Sequence, residues 1–125
     1  MKTRFLQRLG MTGILALSAG SLSAADFDWP QWRGPDRTAV SKEAGLLKNW
    51  PQSGPKRLWI YEKAGYGYSG PSVAKGKLFT IGTREDSECV LALDADNGTE
   101  LWAAKIGPIW ENDRGGGPRG NPTID

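Results

Sequence analysis

The chain has 125 residues and no histidine, which excludes a Ser-His-Asp or Cys-His catalytic set and any His-based metal site. Sixteen basic residues face fourteen acidic ones, but Lys2, Arg4 and Arg8 sit in an N-terminal leader; the thirteen left beyond it give a net charge of −1. The basic excess therefore offers no ground for a nucleic-acid or anionic-membrane partner, and a single cysteine, Cys89, excludes an internal disulfide.

Residues 1–25 read as an export signal. The three basic residues precede an apolar run from Leu9 to Leu17 that is too short to span a bilayer, and Ser23-Ala24-Ala25 supplies small residues for cleavage before Asp26. No cysteine stands at that point to take a lipid. The mature chain is expected in the periplasm or outside the cell, with no membrane span.

Residues 26–56 form an arm. Trp29, Pro30, Trp32, Pro35, Trp50 and Pro51 space large rings with residues that break regular structure, so the arm is expected to run irregularly over a surface. Within it, Ser41 to Asn49 predicts one or two helical turns capped by Ser41, with Leu46 and Leu47 inward and Pro51 ending them.

Residues 57–107 carry a dense series of strand signals. Arg57 to Tyr61 predicts a lead-in strand. Pro71 to Ala74, Lys77 to Ile81, Glu88 to Leu93 and Glu100 to Ile106 predict a four-stranded antiparallel meander. Lys75-Gly76 predicts the first hairpin turn, Arg84 to Ser87 a charged loop, and Asn97-Gly98 a primed turn, since both residues tolerate positive φ. Apolar residues fall on both faces of these strands, as in a sheet covered on both sides. The fold class is all-β, and the unit reads as one blade of an incomplete β-propeller.

Internal repetition supports the blade. Leu58-Trp59 recurs as Leu101-Trp102 at a shift of 43, and Pro71-Ser72-Val73 recurs as Pro122-Thr123-Ile124 at a shift of 51. A period near 40 to 50 residues with four strands per unit points to a propeller. Residues 108–125 then read as an interblade loop followed by the first strand of a next blade, whose hairpin partner would lie past Asp125. The chain is accordingly expected to be an N-terminal part of a longer propeller.

Ala92-Leu93-Asp94-Ala95-Asp96-Asn97-Gly98-Thr99-Glu100-Leu101-Trp102 resembles the tryptophan-docking motif of the pyrroloquinoline quinone (PQQ) repeat family, roughly A-x-D-x-x-T-G-x-x-x-W, with Asn97 in place of Thr. Pro71 to Phe79 is similar to that family's P-x-V-x-x-G-x-L/V-Y/F opening, and Trp29 to Pro35 to the leader of its exported bacterial members. The resemblance implies a structural motif of Ala92, Asp94, Gly98 and Trp102, with Trp102 packed beside the turn and the Asp94 side chain bonding the turn backbone. It does not imply one activity, because such blades occur both in quinone-dependent dehydrogenases and in cofactor-free scaffolds.

Two loops attract a ligand reading. Gly65 to Gly70 matches G-x-G-x-x-G, but Pro71 opens a strand where a dinucleotide site needs a helix N-terminus, so the segment is expected to be a connector with Tyr66 and Tyr68 at a channel mouth. Arg114 to Gly120 reads either as a flexible interblade loop or as an anion-binding nest flanked by Arg114 and Arg119. Catalytic and metal residues are not assigned.

The dehydrogenases that the chain resembles hold PQQ with an adjacent cysteine pair and a stacking tryptophan, beside calcium bound by Glu, Asn and Asp from several blades. One cysteine cannot make that pair. A non-catalytic binding or scaffold module is therefore expected, its partners being further blades and a protein or polymer ligand; a PQQ- and calcium-dependent alcohol or sugar dehydrogenase is the alternative.

Overall fold

A computed structural model describes residues 28–125. The leader, its cleavage point at Ala25 and the first two residues of the arm lie outside the described residues. Four strands, β1 (Ser72–Ala74), β2 (Lys77–Arg84), β3 (Ser87–Asp94) and β4 (Glu100–Pro108), pair antiparallel in the order β1-β2-β3-β4. The protein is all-β, with no helix among the described residues, and the sheet is open.

The apolar run Cys89 to Leu93 explains which strand is central. Cys89, Leu91, Ala92 and Leu93 are all buried, and because successive side chains leave a strand on opposite faces, both faces of β3 are covered. β2 pairs with β3 without interruption from Lys77↔Asp94 to Arg84↔Ser87. The β3–β4 ladder slips twice, between Glu88 and Cys89 and between Ala92 and Leu93, so that Ile106 and Leu101 on β4 have no Cα partner. β4 is the exposed edge, with Leu101, Trp102 and Ile106 open to solvent.

The turns divide by chemistry. Lys75 and Gly76 take φ values of 53° and 71°, the signature of a two-residue primed hairpin turn. The β3–β4 connection differs from the expected primed turn at Asn97-Gly98. It spans residues 95–99, and only Gly98, at φ 73°, lies in the left-handed region. The cause is Asp94, whose carboxylate accepts the N–H groups of Asp96 (3.0 Å) and Asn97 (3.1 Å) and so opens a wider loop. Gly98 N–H donates to Asp94 O, and Asp94 N–H donates to Thr99 O, which closes the loop's base.

The arm is stitched to β1. Trp29 and Val73 exchange backbone hydrogen bonds of 2.8 and 2.9 Å, an isolated antiparallel bridge on the free edge of β1. Both carboxylate oxygens of Asp28 accept the N–H of Lys75. Three expected elements do not form. Residues 41–49 contain no helix: Gly45 takes φ 75° in the middle of the segment, and Leu46 and Leu47 are exposed rather than inward. Residues 57–61 are not a strand, because side chains rather than backbone anchor them, and Leu58 and Ile60 are exposed. Residues 122–124 make no ladder; Ile124 N–H donates to Pro30 O instead.

Candidate functional site

The tryptophan beside the β3–β4 turn is not Trp102, the one expected there. Trp102 stands opposite Ala92 on β4, with 45% of its surface exposed and its nearest aromatic partner Phe79, 6.0 Å away between ring centres. The ring at the turn belongs to Trp59. Its indole N–H donates to Ala95 O at 3.0 Å, and a side chain placed on Gly98 would fall 2.5 Å from it. Glycine at 98 therefore meets two demands, a positive φ and the approach of an indole. Asp94 bonds the loop backbone as expected from its short carboxylate side chain, and Ala92 is fully buried.

Beside Trp59, Tyr61 completes a polar group with Arg84 of β2 and Glu100 of β4. Arg84 donates to both oxygens of Glu100, at 3.0 and 2.6 Å, and the Tyr61 hydroxyl bonds both partners. The guanidinium, with the tyrosine hydroxyl, holds the Glu100 carboxyl at about 2. Burial first, and then the Glu100 carboxylate, push the Tyr61 hydroxyl above its ordinary value. Each polar group is used by another within the set, so it ties residue 61 to the sheet and leaves little chemistry over.

The four loop residues singled out as ligand-facing lie in two segments that the fold brings together. Tyr68 N–H donates to Pro118 O at 2.7 Å, and Pro118 also fills the space that a side chain on Gly67 would need. The Arg119 guanidinium lies 4.5 Å above the Tyr68 ring and 5.6 Å from Trp110, and donates to Gly115 O at 2.8 Å. The Tyr66 hydroxyl donates to Glu111 at 2.7 Å, and that carboxylate's hydrogen bond raises the Tyr66 pKa. Arg114 enters through its backbone: its N–H donates to Asn112 and its carbonyl faces Arg119.

These loops line a shallow, open recess of about 300 Å³ formed by Glu88, Trp110, Gly117, Pro118 and Arg119. Gly117 and Pro118 are buried floor, while Trp110 and Arg119 are exposed. The Glu88 carboxylate accepts Trp110 N–H at 3.1 Å, which fixes the loop that leaves β4. Against Gly116, where a nest would present amides to an anion, stands the carboxylate of Glu111. Glu88, Trp110 and Glu111 were not singled out from sequence. Only their position just before β3's apolar run or just after β4 hinted at a shared end of the sheet.

Cys89 is single and buried, and no group of three or more His, Cys, Asp or Glu side chains among the described residues is placed to hold a metal ion. No helix among them is long and apolar enough to cross a membrane. Comparison with models of protein families, with curated proteins and with solved structures finds no match to the chain.

Proposed function

We propose that the chain is a blade-forming unit of an exported, PQQ-repeat-like β-propeller that acts as a binding or scaffold module rather than as a catalyst. The observation that carries the binding reading is the recess of Trp110, Arg119 and Glu88. It joins an exposed ring, a braced cation and a carboxylate over a buried backbone floor, which is the mixture that orients a ligand in an open site. The same groups lack an arrangement of nucleophile and base, and histidine is absent.

The propeller reading is supported by contacts at, or within one residue of, equivalent positions of the repeat. Ser69 Oγ–H donates to Gly120 O and Gly70 N–H to Asn121 Oδ1, each pair 51 residues apart, and Ser72 Oγ–H donates to Pro122 O, 50 apart. The sequence itself recurs at 51, so one unit's inner edge lies along the next unit's inner edge, as blades do around an axis. Trp59 and Trp102 are likewise equivalent at 43, and Trp59, on the lead-in segment, already holds the β3–β4 turn. In this reading the exposed Trp102 serves a further blade in the same way. The partners are those blades, with a protein or polymer at the recess.

The test is a glycan and peptide array probed with the labelled chain, with Trp110→Ala and Arg119→Ala alongside. A ligand retained by the chain and lost by both variants, with their circular dichroism unchanged, supports the reading. Retention indifferent to both substitutions removes the recess from it. Uptake of PQQ with calcium, followed by dye reduction on an alcohol, overturns the non-catalytic role.

A further inference from the structure

The arm carries a second recess, remote in sequence from the glycine loop. It measures about 230 Å³ and is lined by Gln31, Trp32, Arg33, Arg37 and Thr123. The backbone there is unusual, since Arg33 and Arg37 take φ values of 66° and 54°, a left-handed region that L-residues rarely adopt. Strain of this kind persists only where the surroundings hold it. Here Gly34 N–H donates to Gln31 O, Arg37 N–H to Gly34 O and Ala39 N–H to Arg33 O, while the Trp29 ring presses on Gly34.

The result is two guanidinium groups on one recess. Arg33 lies 5.4 Å from the Trp32 ring, and Arg37 Nε–H donates to the Gln31 side chain, whose own amide donates to Pro35 O. The nearest carboxylate in sequence, Asp36, is engaged by Lys42 at 2.7 Å. Among the described residues, neither Arg33 nor Arg37 has an acidic partner within ion-pair distance. Thr123 brings a hydroxyl from the far end of the chain, placed there by the bond from Ile124 N–H to Pro30 O. Two arginines with no acidic partner among the described residues line one open space with a threonine, and planar cations beside a hydroxyl-bearing residue suit a tetrahedral dianion.

We propose that Arg33, Arg37 and Thr123 form a binding site for a phosphate group, with Trp32 as the surface on which the rest of a phosphomonoester lies. The proposal is independent of the glycine-loop recess and of the propeller reading.

The experiment is a titration of the chain with inorganic phosphate, phenyl phosphate and acetate at constant ionic strength, followed by the Nε–H resonances of the arginines. Saturable shifts at Arg33 and Arg37, with Arg114 and Arg119 unmoved, and phosphate bound at least tenfold tighter than acetate, are the expected result. Phenyl phosphate tighter than inorganic phosphate assigns the ester as ligand; equal affinities assign the free ion. Arg33→Gln with Arg37→Gln should weaken phosphate at least tenfold, while Arg57→Gln leaves it unchanged. Shifts spread over all arginines, or acetate binding as tightly as phosphate, overturn the proposal, and the resonances of the unsubstituted chain decide this even where the double variant does not fold.

Discussion

The indole N–H of Trp59 donates to the carbonyl of Ala95, and the ring takes the space beside Gly98 that any larger residue would fill. A residue 36 positions upstream thus closes the loop between β3 and β4. Gly98→Ala should therefore be costly twice, through its positive φ and through the indole, for a loss of about 2 kcal/mol or more. Trp59→Phe, which removes only the donor and part of the ring, should lose about 1 kcal/mol. Urea unfolding followed by far-ultraviolet circular dichroism measures both, and unchanged midpoints would show that the indole does not hold the loop.

Trp59 and Trp102 should separate in the same assay. Trp59 is the more buried and carries a hydrogen bond, whereas Trp102 lies on the exposed edge against Phe79. Trp59→Ala should cost about 3 kcal/mol and Trp102→Ala about half of that. The opposite order would return the stapling role to Trp102.

Acid should weaken the sheet through Glu100. Its folded-state pKa, about 2, lies below the ordinary 4.5, so the stabilisation is present above pH 4.5 and is lost as pH falls toward 2. Tyr61 acts at the other limit: its pKa is raised above 10.0, so its contribution is present below pH 10 and lost as pH rises past the folded value. The urea midpoint of the chain should fall across the acid window, and that of Glu100→Gln should fall less. Parallel curves would count against the Arg84–Glu100 pairing.

Phenolate titration reads the loop cluster directly. Tyr66 is held above 10.0 by its bond to Glu111, and Glu111→Gln should bring one tyrosine back toward that value in an ultraviolet titration. Identical curves for the two proteins would show that the two side chains do not meet in solution.

The meander was legible because β2 and β3 carry long apolar runs between turn residues, and pairing between neighbours in sequence needs little else. Its boundaries were not: the β2 strand runs on through Gly82 to Arg84 and β3 starts at Ser87, so the charged loop expected over Arg84 to Ser87 shrinks to a two-residue turn. Segments whose conformation depends on distant side chains were misread. Residues 57–61 have a strand's composition, yet Trp59 and Tyr61 spend their bonding groups on Ala95, Glu100 and Arg84. Residues 41–49 have a cap and two leucines, but Gly45 turns the backbone left-handed and no apolar surface receives Leu46 and Leu47. The glycine-loop site was half legible. Tyr66, Tyr68, Arg114 and Arg119 were visible as residue types, whereas Trp110 and Glu88 matter only because the β3–β4 pairing places the end of one strand beside the start of the other.

The single bridge between Trp29 and Val73 has a consequence in time. Strands β1 to β4 meet through short hairpins, whose closure is quick, while the bond from Lys75 to Asp28 must close over 47 residues. The meander should therefore assemble first and the arm zip onto it last. On opening, the order reverses: the amides of Trp29 and Lys75 should exchange their protons well before those of Leu91 and Ala92, and whatever occupies the recess beside Arg33 would act as a latch on the last step of folding.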